Sequence, residues 1–199
     1  EAIETYTDAE LKRLLKKPDI RKCGFVTYRS WVIVNFLLST GIRQNSLINI
    51  KIKDLDFDND MVYINTTKNR KSLIIPLNED IVKILHEYLK YRGGGSEDWL
   101  FCSIYGEKMT KGANYTALWD YSHSRGLDKT GVHRYRHTFA KKWVTMGGSI
   151  VTLQKILGHS SLAITEGYLN MLTTDLKKDM NEINIIRSLK QERMQIVRH

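Results

Sequence analysis

Residues 28–43 read YRSWVIVNFLLSTGIR, a strongly apolar run with an abrupt end. Only Asn35 interrupts the apolar side chains in the middle of the run, a pattern typical of a helix buried in a core. Gly41 then supplies the left-handed residue that commonly ends a helix. The stretch therefore predicts a buried central helix over residues 28–40, and Arg43 follows directly at the start of another short helix.

The segments on either side of this helix predict further helices and one small sheet. Thr7 and Glu10 form the pattern of a capping box that opens a first helix, which Pro18 ends. Two β-branched runs flank a polar tip and predict a β-hairpin. The predicted short helix spans residues 43–49, the hairpin strands 61–66 and 72–75, an extended segment 99–102, and the remaining helices 80–91, 111–124, 131–146 and 150–157.

Together these segments predict one domain over residues 1–199 that is mainly α-helical with a small antiparallel β-sheet, an α+β fold. No apolar run approaches the about 20 residues that a membrane helix needs. The first residues, EAIETYTDAELK, lack the order of charges in a signal peptide. Two cysteines far apart do not indicate a disulfide framework. We therefore expect a cytoplasmic protein that does not contact membranes.

The net charge of +9 and the sequence pI near 9.5 favour a partner that is rich in phosphate. Residues 108–145 hold eight Lys or Arg against two Asp, so they contribute +6 of the +9. The alternative interpretation is a solvated basic face that binds nothing.

His133 and His137 have the spacing of a helical metal pair. Arg134 and Arg136 lie between them, however, and no acidic or thiolate third ligand stands nearby, so we predict no metal site. His133 and Arg136 are three residues apart and project from one helix face, where both can donate hydrogen bonds to an oxyanion.

Two more cations stand where a ligand could reach them. Arg43 follows a helix-ending glycine near the start of the next helix, where free backbone amides favour an anion. Lys68 lies at the predicted hairpin tip, from which a long side chain can extend. The ordinary alternatives are a surface arginine and a solvated lysine in a turn.

Residues 157–168 read LGHSSLAITEGY and place His159 nine residues before Tyr168. On one unbroken helix this separation would leave the two side chains on opposite faces. Gly158 can end one helix, and Ser160 or Ser161 can cap the next. A bend at Gly158 would therefore let both side chains face one ligand, although a tyrosine taken alone is more often a core residue.

These motifs together resemble the catalytic domain of the tyrosine recombinases, the phage-integrase-like enzymes. The resemblance runs through STGIR, KNRKSLIIPL, HRYRHTFA, LGHSS and the tyrosine that follows, and so covers roughly residues 5–170. It implies the integrase catalytic-domain fold and six catalytic residues: Arg43, Lys68, His133, Arg136, His159 and the nucleophile Tyr168.

The resemblance also implies the reaction and its partners. The enzyme would be a site-specific DNA recombinase that cleaves and rejoins double-stranded DNA through a 3′-phosphotyrosyl intermediate, without metal, ATP or another cofactor. Four protomers would assemble on two duplexes, with accessory DNA-bending proteins as further partners. A nucleoid-associated protein of a prokaryote, phage or mobile element is expected.

Three features depart from the pattern or extend it. The family often has an acidic residue three after the first arginine, whereas Ser46 stands here and supplies no charge. Family members usually carry an N-terminal core-binding domain, and we expect this chain to be the C-terminal catalytic domain without it, with a core over residues 1–170. The tail over residues 171–199 has an apolar stripe at helical spacing and could pack in cis or dock on a neighbouring protomer.

Two other functions fit the same residues. A type IB topoisomerase shares the catalytic set and would relax supercoiled DNA as a monomer. A non-catalytic DNA-binding module could retain the fold, but it would be expected to have lost the tyrosine or an arginine.

Overall fold

The computed structural model describes residues 4–65 and 73–158. Lys68, His159, Tyr168 and the tail lie outside these ranges. In chain order the elements are α1 Asp8–Leu15, α2 Phe25–Thr40, α3 Gln44–Leu47, a 3₁₀ turn Ile52–Asp54, β1 Leu55–Asp56, β2 Met61–Ile64, β3 Leu73–Pro76, α4 Glu79–Arg92, α5 Lys111–Ser124, α6 Val132–Thr145 and α7 Ile150–Leu157.

Helix α2 is the centre of the fold, as its apolar sequence predicts. The side chains of Val32, Ile33 and Phe36 are completely buried, and α1, α4, α5 and α6 all pack against this helix. It begins at Phe25, three residues earlier than predicted, and it ends at Gly41 in the left-handed conformation. The helix is buried because nearly every side of it carries an apolar residue.

The sheet has three antiparallel strands in the order β1-β2-β3. The predicted hairpin is confirmed as β2 and β3, with Met61 opposite Pro76 and Ile64 opposite Leu73. Strand β1 was not predicted, because its two residues are too few to show an alternating pattern. Val62 and Ile75 face the core, so the sheet covers one side of the helices.

Side chains at the helix starts fix several boundaries. Thr7 and Glu10 form the predicted capping box of α1, and the amide oxygen of Asn78 accepts a hydrogen bond from the Ile81 N–H at the start of α4. Helices α5 and α7 have the predicted bounds, whereas α3 covers only four of the seven residues predicted. In the predicted extended segment 99–102, Trp99 and Cys102 form isolated β-bridges with Lys51 and Lys108.

The fold class is therefore the predicted one, mainly helical with a small antiparallel sheet. In the two described ranges, every helix is too short or too polar to cross a membrane.

Candidate active site

The turn after α2 is pressed against two other helices. Gly41 has φ of 60°, and a Cβ atom placed on it would lie 2.4 Å from Cδ1 of Phe139 on α6 and 2.9 Å from Cδ2 of Leu157 on α7. An L side chain disfavours this backbone conformation and would also clash with both neighbours. Glycine at position 41 thus allows α2, α6 and α7 to meet.

Arg136 holds the same three helices together. Its guanidinium donates from Nη1 to the Gly41 carbonyl at 2.6 Å and from Nη2 to the Leu157 carbonyl at 2.8 Å. Only 6% of the residue is exposed. Both carbonyls lie at helix C-termini, where the helix dipole favours a cation. A charged side chain is therefore fixed at the junction of the three helices.

Arg43 approaches this junction from the other side of the turn. It is the N-cap residue of α3, two residues after Gly41, and it is exposed. A Cβ atom placed on Gly158 would lie 3.6 Å from Nη1 of Arg43. Arg43 and Arg136 therefore meet the same dipeptide, Leu157-Gly158, which directly precedes His159.

The end of the hairpin also reaches this dipeptide. Leu73 is the first residue of β3, and its Cδ2 atom would lie 3.5 Å from the same Cβ position on Gly158. In sequence, Leu73 directly follows the segment that carries Lys68, and Gly158 directly precedes His159. The described residues next to these two segments therefore lie near Arg43.

His133 lies in the first turn of α6, three residues before Arg136, and it is exposed. That turn contains no acidic residue, and no side chain caps it. Burial lowers the pKa of His137, and the positive groups of His133, Arg136 and Arg134 lower it further. The start of α6 is therefore an environment that favours an anion over further positive charge.

The structure places Arg43, His133 and Arg136, whereas Lys68, His159 and Tyr168 lie outside the described residues. Within the described ranges, no hydrogen bond joins the side chains of Arg43 and Ser46. No group of three His, Cys, Asp or Glu side chains in those ranges forms a set of metal ligands. The two carbonyl partners of Arg136 were not predicted, because one of them is 95 residues away in sequence.

Three cations of the basic stretch have acidic partners near the N-terminus. Lys129 pairs with Glu10 at 2.7 Å, Arg134 pairs with Glu4, and Lys142 pairs with Asp8. These three charges are thus neutralised within the domain. The stretch therefore has fewer cations that can bind a ligand than its excess charge of +6 indicates. Arg43 differs from these three residues, because its side chain is exposed at the helix junction.

Comparison with known proteins connects this geometry to a family. Residues 4–175 match the model of the phage integrase family. The chain belongs to the phage integrase family. The match covers most of the sequence, including every predicted site residue, and it confirms the resemblance that the motifs indicated.

Individual members of the phage integrase family support this assignment. The tyrosine recombinase XerA of Saccharolobus solfataricus is 32% identical over 148 residues, which are 74% of this chain and 48% of that protein. The crystal structure of a XerA recombinase is 29% identical with a TM-score of 0.76, covering 90% of this chain and 63% of that one.

A third similarity concerns the fold alone. The XerH site-specific recombinase, in a post-cleavage complex with a palindromic difH substrate, is 24% identical with a TM-score of 0.74. The similarity covers 90% of this chain and 53% of XerH. This chain therefore spans about half to two thirds of the length of the family members to which it is similar.

Proposed function

We propose that the chain is the catalytic domain of a site-specific DNA recombinase of the tyrosine type. The observation that carries the proposal is the meeting of Arg43 and Arg136 at Leu157-Gly158, directly before His159. Each Nη atom of Arg136 carries a second hydrogen besides the one that it donates to a carbonyl, so this guanidinium and that of the exposed Arg43 can both donate to the oxygens of a phosphate. Family membership makes a DNA phosphodiester the expected ligand.

In the proposed reaction the hydroxyl oxygen of Tyr168 attacks the phosphorus of one DNA phosphodiester. The bond from phosphorus to the 5′ oxygen breaks, and a 3′-phosphotyrosyl bond forms. Lys68 gives a proton to the departing 5′ oxygen, while His133 and His159 donate hydrogen bonds or accept the tyrosine proton. Arg43 and Arg136 offset the negative charge that builds on the non-bridging oxygens.

The reverse step completes strand exchange. A 5′ hydroxyl from another strand attacks the phosphotyrosyl phosphorus, the new phosphodiester forms, and Tyr168 takes back its proton. The covalent intermediate conserves the energy of the broken bond, so rejoining requires no external energy source. The same residues serve both directions, because each step passes through a five-coordinate phosphorus of the same charge.

Covalent trapping tests the proposed function. The purified chain is incubated with duplexes from the DNA that flanks its gene, each nicked so that cleavage releases a short 5′-hydroxyl fragment that diffuses away. We expect a protein–DNA adduct that survives denaturing electrophoresis, and we expect Tyr168→Phe to form no detectable adduct because it lacks the nucleophile. A binder without catalytic activity would shift the duplex on a native gel and form no adduct.

The same substrates separate a recombinase from a topoisomerase. A supercoiled plasmid that lacks the cleaved sequence serves as the control for one that contains it. A recombinase is expected to cleave only the second plasmid. Efficient relaxation of both plasmids by a monomer would assign the topoisomerase function and overturn the proposal.

The proposal includes assembly of four protomers on two duplexes, assisted by DNA-bending proteins. Residues Leu176, Met180, Ile183, Ile186 and Leu189 lie outside the described residues, and their spacing predicts an apolar helix face that docks on a neighbouring protomer. Truncation after Thr174 is expected to reduce assembly on paired duplexes while DNA affinity stays nearly unchanged. Sedimentation and fluorescence anisotropy measure the two quantities, and normal assembly of the truncated chain would refute docking in trans.

A further inference from the structure

Helix α6 presents a second set of side chains besides those of the candidate site. Arg134, Thr138 and Lys142 follow one another at intervals of four residues and so share one face of the helix. Arg134 and Arg136 are two residues apart, so their side chains point in clearly different directions. Residues 4–8, which we name the strap, contact the face that carries Arg134, Thr138 and Lys142.

The strap is attached to α6 by one buried hydrogen bond, with an ion pair on either side of it. The backbone N–H of Tyr6 donates to Oγ1 of Thr138 at 3.0 Å, and this hydroxyl donates to the Arg134 carbonyl at 2.8 Å. Thr138 is 1% exposed. Glu4 pairs with Arg134 at one end of the strap, and Asp8 pairs with Lys142 at the other.

The ring of Tyr6 fixes the strap against the residue next to Arg136. Tyr6 is 4% exposed, and its ring centroid lies 4.8 Å from that of the fully buried Tyr135. The charged groups of Lys129 and Arg134 each lie 5.8 Å from the Tyr6 ring. A pair of aromatic rings such as Tyr6 and Tyr135 contributes about 0.5–1.5 kcal/mol to stability, beyond the contribution of the area that it buries.

We infer that Thr138 is a positioning residue for Arg136. Its hydroxyl joins the strap to α6 and so sets the rotation of this helix about its axis. That rotation decides whether the Arg136 guanidinium reaches both the Gly41 and the Leu157 carbonyls. A displacement of about 1 Å in a catalytic group can reduce a rate by about 10²-fold. The inference extends the proposed function, since it concerns how one proposed catalytic arginine is held.

Three substitutions test the inference in the full chain. Thr138→Val keeps the shape of the side chain and leaves the Tyr6 N–H without an acceptor, while Thr138→Ser keeps the hydroxyl. Tyr88→Phe is the matched control. It removes the buried hydrogen bond that the Tyr88 hydroxyl on α4 donates to the Leu100 carbonyl at 3.0 Å. Urea unfolding measures how much stability Thr138→Val and Tyr88→Phe each lose, so that a slower reaction can be distinguished from a general loss of stability.

The decisive measurement is the rate of adduct formation at saturating nicked duplex, together with the Kd for that duplex. We expect Thr138→Val to slow adduct formation by about tenfold or more with an unchanged Kd. Thr138→Ser should restore the rate, and Tyr88→Phe should keep it. A wild-type rate in Thr138→Val, an equal loss in Tyr88→Phe, or no recovery in Thr138→Ser would each overturn the positioning role.

Hydrogen exchange separates this inference from the proposed function. If the wild-type chain never forms an adduct, the proposed function fails, but the effect of Thr138 on Arg136 can still be measured in free protein. If Arg136 no longer donates to the two carbonyls, amide hydrogen exchange should be faster in the peptides that cover residues 37–43 and 153–158. We expect this in Thr138→Val and not in Thr138→Ser or Tyr88→Phe. Unchanged exchange at these peptides in Thr138→Val would refute the inference.

Discussion

Arg136→Ala is expected to lose about 3–5 kcal/mol of unfolding free energy and nearly all strand cleavage. The substitution removes two hydrogen bonds from a charged donor, each worth about 1.5–3 kcal/mol, and leaves the Gly41 and Leu157 carbonyls without them in a buried junction. Loss of one group that stabilises transition-state charge costs about 10²–10³-fold in rate. Urea unfolding followed by tryptophan fluorescence and adduct formation on nicked duplex measure the two losses.

Arg125→Ala provides the control for this experiment. Arg125 lies over the Tyr121 ring at 4.9 Å, at the C-terminal end of α5, and its removal should cost about 1 kcal/mol or less. Arg136→Lys should remain well below wild type in both measurements, because one ammonium cannot reproduce the planar fork that reaches two carbonyls. An Arg136→Ala variant as stable as Arg125→Ala would show that the junction does not depend on this guanidinium.

Gly41→Ala is expected to lose about 2–5 kcal/mol of unfolding free energy. A left-handed conformation costs a non-glycine residue about 1–2 kcal/mol, and overpacking in a core adds about 1–3 kcal/mol. The added methyl group would lie 2.4 Å from Cδ1 of Phe139 and 2.9 Å from Cδ2 of Leu157, so both of these core side chains must shift. Because Arg136 binds the Gly41 carbonyl, DNA cleavage should fall with stability.

Gly158→Ala isolates the packing contribution. Gly158 has φ of 60° and ψ of 39°, left-handed like Gly41, but a Cβ atom there would meet its neighbours only at ordinary contact distances, 3.5 Å from Leu73 and 3.6 Å from Arg43. Its substitution should therefore cost only the conformational part, about 1–2 kcal/mol. Equal losses for the two variants, measured by urea unfolding, would contradict the packing of α6 and α7 on the turn after α2.

Local patterns in the sequence predicted most of the fold. The apolar run of α2, the capping residues of α1 and α4, and the β-branched runs of the hairpin all act through near neighbours in the chain. The exact bounds predicted for α7 follow from a serine cap at one end and a glycine at the other. The two-residue strand β1 shows why short elements are missed, since its pairing with β2 and not its own pattern defines it.

The residues of the candidate site were predicted from the order and spacing of motifs, but their physical connections were not. Arg136 was expected to bind phosphate, and nothing near it in sequence indicates the Gly41 carbonyl 95 residues away. The strap is a second example, because Tyr6 and Thr138 are 132 residues apart. Contacts of this kind arise from tertiary packing, which a single sequence does not display.

The charge pattern was informative in total and misleading in detail. The net charge of +9 agrees with a phosphate-rich partner, but three cations of residues 108–145 pair with acidic residues of the strap and α1. Counting charges along the chain could not separate these from cations that are available to a ligand. The structure makes that distinction for Arg43, whose exposed side chain lies at the helix junction beside Gly158.

The central claim is that a tyrosine and a set of cationic and imidazole groups, separated by up to 125 positions in sequence, act on one DNA phosphorus. Mass spectrometry of the trapped adduct, after digestion of protein and DNA, identifies both the linked amino acid and the linked end of the DNA. The account predicts a single peptide that contains Tyr168, joined to a 3′ phosphate, with a free 5′ hydroxyl on the released fragment. A linkage through another residue or to a 5′ phosphate would contradict it.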